Sequence, residues 1–184
     1  YEITSPRFLM STILAAANTN VESALGNALT INGISVELGT TFNGNGTVNV
    51  RGTCTPVTIG GQASDYVLAN NSFVWSDENA ITIPANTVFG VVVATQVASG
   101  ELRPYPQFRT IASLGDGKRQ AATSLSSYLT SGVITSSDNT IYTQPAMIVA
   151  KGWASAGQPP VPLIIGDSIS VTGNDATYFD QPDG

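Results

Sequence analysis

Ala28-Leu29-Thr30-Ile31-Asn32-Gly33-Ile34-Ser35-Val36-Glu37-Leu38 is the stretch from which the fold class is read. Leu29 and Ile31 alternate with polar neighbours, and so do Ile34, Val36 and Leu38, which is the period of a half-buried strand. Between the two pieces stands Asn32-Gly33, the strongest short hairpin signal, so two strands joined by a turn are expected there. Working outward, Thr40 to Gly46 is a second turn cluster, and Thr47-Val48-Asn49-Val50-Arg51 alternates again. Phe73-Val74-Trp75 and Ala80-Ile81-Thr82-Ile83 read as strands separated by the turn residues Ser76 to Asn79, and Pro84-Ala85-Asn86 ends the second. Val88 to Val97 is the most apolar β run and predicts a strand covered on both faces. Ala146 to Ala150 is a further strand.

Strands at this spacing predict a mainly β fold. Residues 1–157 are expected to form one antiparallel β-sandwich of jelly-roll type. Its core is expected at Ile31, Ile34, Val36, Val48, Val50, Ile81, Ile83, Val91, Val93, Ile148 and Val149. Helical signals are weak: Asn20 to Leu29 has room for one or two turns, and Gln120 to Leu129 has near-helical spacing diluted by Ser and Thr.

Composition narrows the function. Charged residues are 11% of the 184, against roughly 25% in ordinary soluble domains, and Ser, Thr, Asn and Gly take their place. Such a surface is expected of a protein that works outside the cell, at a cell surface or in a virion. Thirteen acidic and seven scattered basic residues give a net charge of −6, which excludes the clustered positive face that nucleic acid needs. There is no histidine and one cysteine, Cys54, so neither a thiol nucleophile with its base nor a zinc site is supplied; no cofactor and no metal are expected. Cys54 is expected to be a buried structural thiol. No apolar run reaches the roughly 18 residues of a membrane span, and Phe8 to Ala17 lacks the basic flank of a signal peptide.

After Ala154-Ser155-Ala156-Gly157-Gln158-Pro159-Pro160, a linker-like stretch, the character changes. Pro162-Leu163-Ile164-Ile165-Gly166-Asp167-Ser168-Ile169-Ser170 reads as a buried strand ending in a sharp turn that carries a hydroxyl. In an open α/β sheet that is where ligands sit. Gly166 permits the turn, Asp167 braces it, and Ser168 is placed to act as a nucleophile with backbone N–H groups at the developing oxyanion. Val161 to Asp175 resembles the first block of the SGNH (GDSL-type) hydrolases. The resemblance implies that residues 158–184 begin an α/β hydrolase domain, with Ser168 as nucleophile. It implies a serine esterase or deacetylase acting on esters of a surface glycan or similar substrate. Upstream phrases such as Val74-Trp75-Ser76-Asp77 and Ile81-Thr82-Ile83-Pro84-Ala85 resemble the β-sandwich that precedes the hydrolase unit in some bacterial and phage-borne members.

The family's Asp-x-x-His has no counterpart here. Without a base Ser168 is an ordinary alcohol at neutral pH, so the chain is expected to be the incomplete front of a hydrolase and inactive alone. A second reading stays open: a structural or carbohydrate-binding module, such as an anchor domain of a virion fibre or cell-surface assembly. In the loop Arg103-Pro104-Tyr105-Pro106-Gln107-Phe108-Arg109, the residues Arg103, Tyr105 and Arg109 are candidate binding residues. Tyr66, Phe73, Trp75, Tyr105 and Phe108 read either as core aromatics or as a sugar-stacking platform. Low charge and an unpaired strand at Pro162–Ile169 lead us to expect a homo-oligomer or a place in a larger assembly.

Overall fold

Hydrophobic alternation along the chain resolves into twelve strands in a computed structural model that describes residues 2–15, 22–24, 26–39, 41–42, 48–50, 52–101, 126–131 and 145–151. They are β1 (Ile3–Ser11), β2 (Ile13–Ala15), β3 (Glu22–Ala24), β4 (Leu29–Leu38), β5 (Thr41–Phe42) and β6 (Val48–Val50). There follow β7 (Thr53–Val57), β8 (Tyr66–Leu68), β9 (Phe73–Trp75), β10 (Thr82–Ile83), β11 (Phe89–Gln96) and β12 (Met147–Lys151). One 3₁₀ turn, Ser126–Leu129, is the helical element among the described residues. The first sheet is built on β1, with β12 on one side and β9 and β10 end to end on the other. The second is built on β4, with β11 on one side and β7 and β8 on the other. Two short pairs, β2 with β3 and β5 with β6, complete the pairing among the described residues, where every pairing is antiparallel.

Phe8, Met10, Ile81 and Ile83 from the first sheet meet Leu29, Ile31, Ile34, Val36, Val57 and Leu68 from the second in one buried cluster. The described residues therefore form the expected antiparallel β-sandwich. The polypeptide changes sheets between β8 and β9. There the Thr12 hydroxyl donates to the Ala69 carbonyl (2.8 Å) and accepts the Ser72 N–H (3.0 Å), which anchors the crossing to the end of β1.

The Asn32-Gly33 hairpin does not form. β4 runs straight through it, and β11 pairs Ala94 with Gly33 but Thr95 with Ile31, leaving Asn32 as the extra residue of a bulge. An extra residue reverses the side-chain phase. Leu29 and Ile31 face the core before it, and Ile34 and Val36 face the same core after it. On the opposite edge the partner changes at the same point, from β8 (pairing residues 29–31) to β7 (pairing residues 34–38). Asn32 Nδ2 donates to Asp65 Oδ1 (2.9 Å), which ties the bulge to the connection between those two strands. The two-residue turn of the region is instead Gly60-Gly61, whose positive φ angles of 58° and 78° suit a type I′ turn closed by Ile59 and Gln62.

Other expectations need correction. Asn20 to Leu29 holds β3 and the start of β4 rather than helical turns. Along β11, Phe89 to Thr95 are half-buried, not sealed on both faces. Ile148 and Val149 are 47% and 40% exposed, because β12 is the last strand of its sheet among the described residues. Cys54 is half-buried in β7, its thiol facing the Gly52 and Thr130 carbonyls at 3.6 and 3.8 Å. Ile31, Ile34, Val36, Ile81 and Ile83 are buried as expected, and Val91 and Val93 pack against the core. The side chains of Val48 and Val50 lie outside the described residues, as does the segment from Gly152 onward, with the α/β unit expected there.

The bulge makes a direct prediction. Deleting Asn32 forces one half of β4 to turn its apolar residues outward, so the deletion variant should not fold. Asn32→Ala loses only one side-chain hydrogen bond and should cost about 1 kcal/mol in chemical denaturation. Phe8→Ala, at a side chain with no exposed area, should cost about 3–5 kcal/mol.

Candidate functional site

With Pro6, Phe8, Met10 and Thr12 turned into the core, Arg7, Leu9 and Ser11 must point to the outer face of the first sheet. Register assembles their neighbours. Leu9 lies opposite both Trp75 of β9 and Met147 of β12, Arg7 opposite Val149, and Ser11 opposite Phe73. Paired residues share a face, so Phe73, Trp75, Leu9, Met147 and Val149 form one apolar platform. Phe73 is 62% exposed and Met147 52%, whereas Trp75 and Leu9 are half-buried.

One end of the platform is polar. Arg7 Nε donates to the Ser76 carbonyl (2.9 Å), and its guanidinium lies 5.7 Å from the Trp75 ring centroid. Its terminal Nη groups carry no hydrogen bond among the described residues. Beside it, Lys151 Nζ pairs with Glu78 Oε2 at 2.5 Å across an exposed rim. The Lys151 ammonium, and more weakly Arg7, hold the Glu78 carboxyl below the usual glutamate range.

Arg7 is positioned by the Ser76–Asn79 segment, which takes the place of a strand between β9 and β10. The Ser76 N–H donates to the Phe8 carbonyl (2.8 Å), its buried hydroxyl accepts the Phe8 N–H (3.0 Å), and Asn79 Nδ2 donates to the Pro6 carbonyl (3.2 Å). Pro6 has no N–H to offer, so a strand partner would gain little there. Asp77 carries the segment across to the second sheet. Its carboxylate accepts from Thr58 Oγ1 (2.7 Å), Gly61 N (2.8 Å) and Gly60 N (3.1 Å), so the positive-φ turn is fixed by one side chain. The Thr58 hydroxyl first, then the two glycine N–H groups and Arg7, hold the Asp77 carboxyl below its ordinary value.

The face thus presents exposed apolar side chains beside one anchored guanidinium. No group of three potential ligands converges on a metal position among the described residues. A cavity of about 10 Å³ beside Ile31, Val57 and Tyr66 holds no more than one water. Of the residues expected to act, Gly166, Asp167 and Ser168 lie outside the described residues, as do Arg103, Tyr105 and Arg109. Among the aromatics, Phe73 and Trp75 belong to the platform, Tyr66 packs against the core, and Tyr105 and Phe108 lie outside the described residues. Arg7, Leu9, Met147 and Val149 are additions that only strand register reveals. Comparison with known proteins returns no matching family model, no matching curated protein and no matching solved structure.

The Asp77 anchor is pH-dependent, with a sign that follows from the lowered carboxyl. Its stabilisation is complete above the ordinary value of 3.8 and is lost as pH falls below it. Asp77→Asn should therefore unfold more readily than the parent at pH 7, and the gap should narrow below pH 3.8, as thermal melts across the acid range would show.

Proposed function

We propose that this chain is the N-terminal part of a serine ester hydrolase that resembles the SGNH enzymes and acts on ester groups of a surface glycan or similar substrate. The observation that carries the reading is the block Leu163-Ile164-Ile165-Gly166-Asp167-Ser168, directly after a β-sandwich and a Pro-rich linker. Ser168 is the nucleophile, Gly166 opens the turn, and Asp167 braces it. The sandwich is the non-catalytic partner. It has no histidine to serve a nucleophile as base.

A second reading has its own observation. Met147, Ile148 and Val149 leave apolar side chains exposed on both faces of β12, which is an edge strand among the described residues, a surface suited to an anchor module in a virion fibre or cell-surface assembly. In that case the protein forms a homo-oligomer or part of a larger complex, and Ser168 has no catalytic role.

Extending the reading frame past Gly184 decides between the two. An Asp-x-x-His downstream, with aryl acetate hydrolysis by the extended polypeptide that falls by about 10³-fold or more in Ser168→Ala, supports the hydrolase. The 184-residue chain alone should give no turnover. Fibrous repeat in place of the Asp-x-x-His, or hydrolysis that survives Ser168→Ala, would overturn it.

A further inference from the structure

We infer that the outer face of the first sheet is a glycan-binding platform, with sugar rings seated on Phe73 and the free part of Trp75 and ring hydroxyls bonded to Arg7. Three observations carry this, and none depends on Ser168. First, Phe73 and Trp75 lie two residues apart on one face of β9, about 7 Å along the strand. That places Phe73, 62% exposed, beside the half-buried Trp75 on one face of the sheet, and the C–H face of a pyranose can lie against the Phe73 ring and the part of Trp75 that Arg7 leaves uncovered. Second, Arg7 is held rigidly by Ser76 and Trp75, yet its Nη groups carry no hydrogen bond among the described residues. A half-buried guanidinium whose fork is already positioned is suited to donate to a ligand's oxygens at low entropic cost. Third, the rim is electrically balanced: Lys151 is paired with Glu78, and Asp77 spends its carboxylate on the Gly60-Gly61 turn. Counted together, Arg7 and Lys151 offset Asp77 and Glu78, so the rim has no net charge with which to select a highly charged partner. A neutral, amphiphilic, planar ligand with many hydroxyls is what remains.

The alternative occupant, a second copy of the chain, fits less well. A stable protein interface takes about 20–30 residues from each side. The platform offers five apolar side chains and meets charge at one end, an extent suited to two or three sugar units.

The test uses the 184-residue chain. A glycan array of neutral and anionic oligosaccharides identifies ligands, and titration calorimetry with the strongest measures affinity. Phe73→Ala and Arg7→Gln should each weaken binding by about tenfold, while Phe73→Trp retains it. Val67→Ala, at an equally exposed position on the second sheet, should leave binding unchanged. Affinity should change less than about twofold when salt is raised from about 0.05 M to about 0.5 M, as expected for a neutral ligand. Unchanged melting temperatures would show that the variants are folded. No binding anywhere on the array, binding that Phe73→Ala leaves intact, or concentration-dependent dimerisation that Phe73→Ala abolishes would overturn the inference. Because no hydrolysis is measured, that failure would leave the ester-hydrolase reading standing, and loss of the hydrolase reading would leave the binding result untouched.

Discussion

Both halves of β4 bury the same face because Asn32 is left out of the ladder to β11. A strand that kept its register through residues 29–38 would send either Leu29 and Ile31, or Ile34 and Val36, out of the core. The second sheet depends on that one unpaired residue, since β7 and β8 attach on either side of it and β11 spans it. Gly33 has a second duty. A Cβ there would meet the Leu129 side chain, so its absence lets the Ser126–Leu129 turn settle onto the face of the sheet away from the core. Ser35 confirms that seat by donating its hydroxyl to the Leu129 carbonyl (2.7 Å). A polar residue on a strand can be fully covered when a single well-aimed partner is available.

The first sheet solves a related problem with side chains. β1 carries Pro6 and a positive φ at Ser5 (49°), so it cannot offer a regular edge along its length. Side-chain groups fill the gap between β9 and β10: the Ser76 hydroxyl takes the Phe8 N–H, and the Asn79 amide takes the Pro6 carbonyl. The arrangement leaves the Ser76 carbonyl free to hold Arg7. Irregularity in the sheet thus becomes positional control of the Arg7 side chain. The same segment reaches the second sheet through Asp77, so the two sheets are tied by polar bonds at this end as well as by the shared core.

How much of this is legible in the sequence depends on distance along the chain. Short alternating or apolar runs mark β6, β9, β10, β11 and β12 close to where they lie, because strand character is a local property. Asn32-Gly33 was misread for a physical reason: a hairpin and a bulge leave the same mark, a break in hydrophobic phase at residues that tolerate unusual backbone. Only the partner strands distinguish them. Ile148 and Val149 look like core by composition, but burial needs a covering layer, and edge position is not written in five residues. The platform was legible only in part. Phe73 and Trp75 stand out as aromatics, whereas Arg7 and Val149 lie far from them in sequence and meet through register.

That separation bears on how such a face can work. Its members come from three strands whose relative registers are fixed by core packing, so side-chain positions are set before any ligand arrives. The cation that matters is clamped by a carbonyl and an aromatic ring rather than by a carboxylate. Its Nη groups therefore carry no hydrogen bond among the described residues. A carboxylate in place of the Ser76 carbonyl would occupy the fork in a bidentate pair and close it to a neutral partner. The net charge of −6 gives a neutral partner no steering, so its discrimination must come from shape and hydrogen-bond geometry at contact.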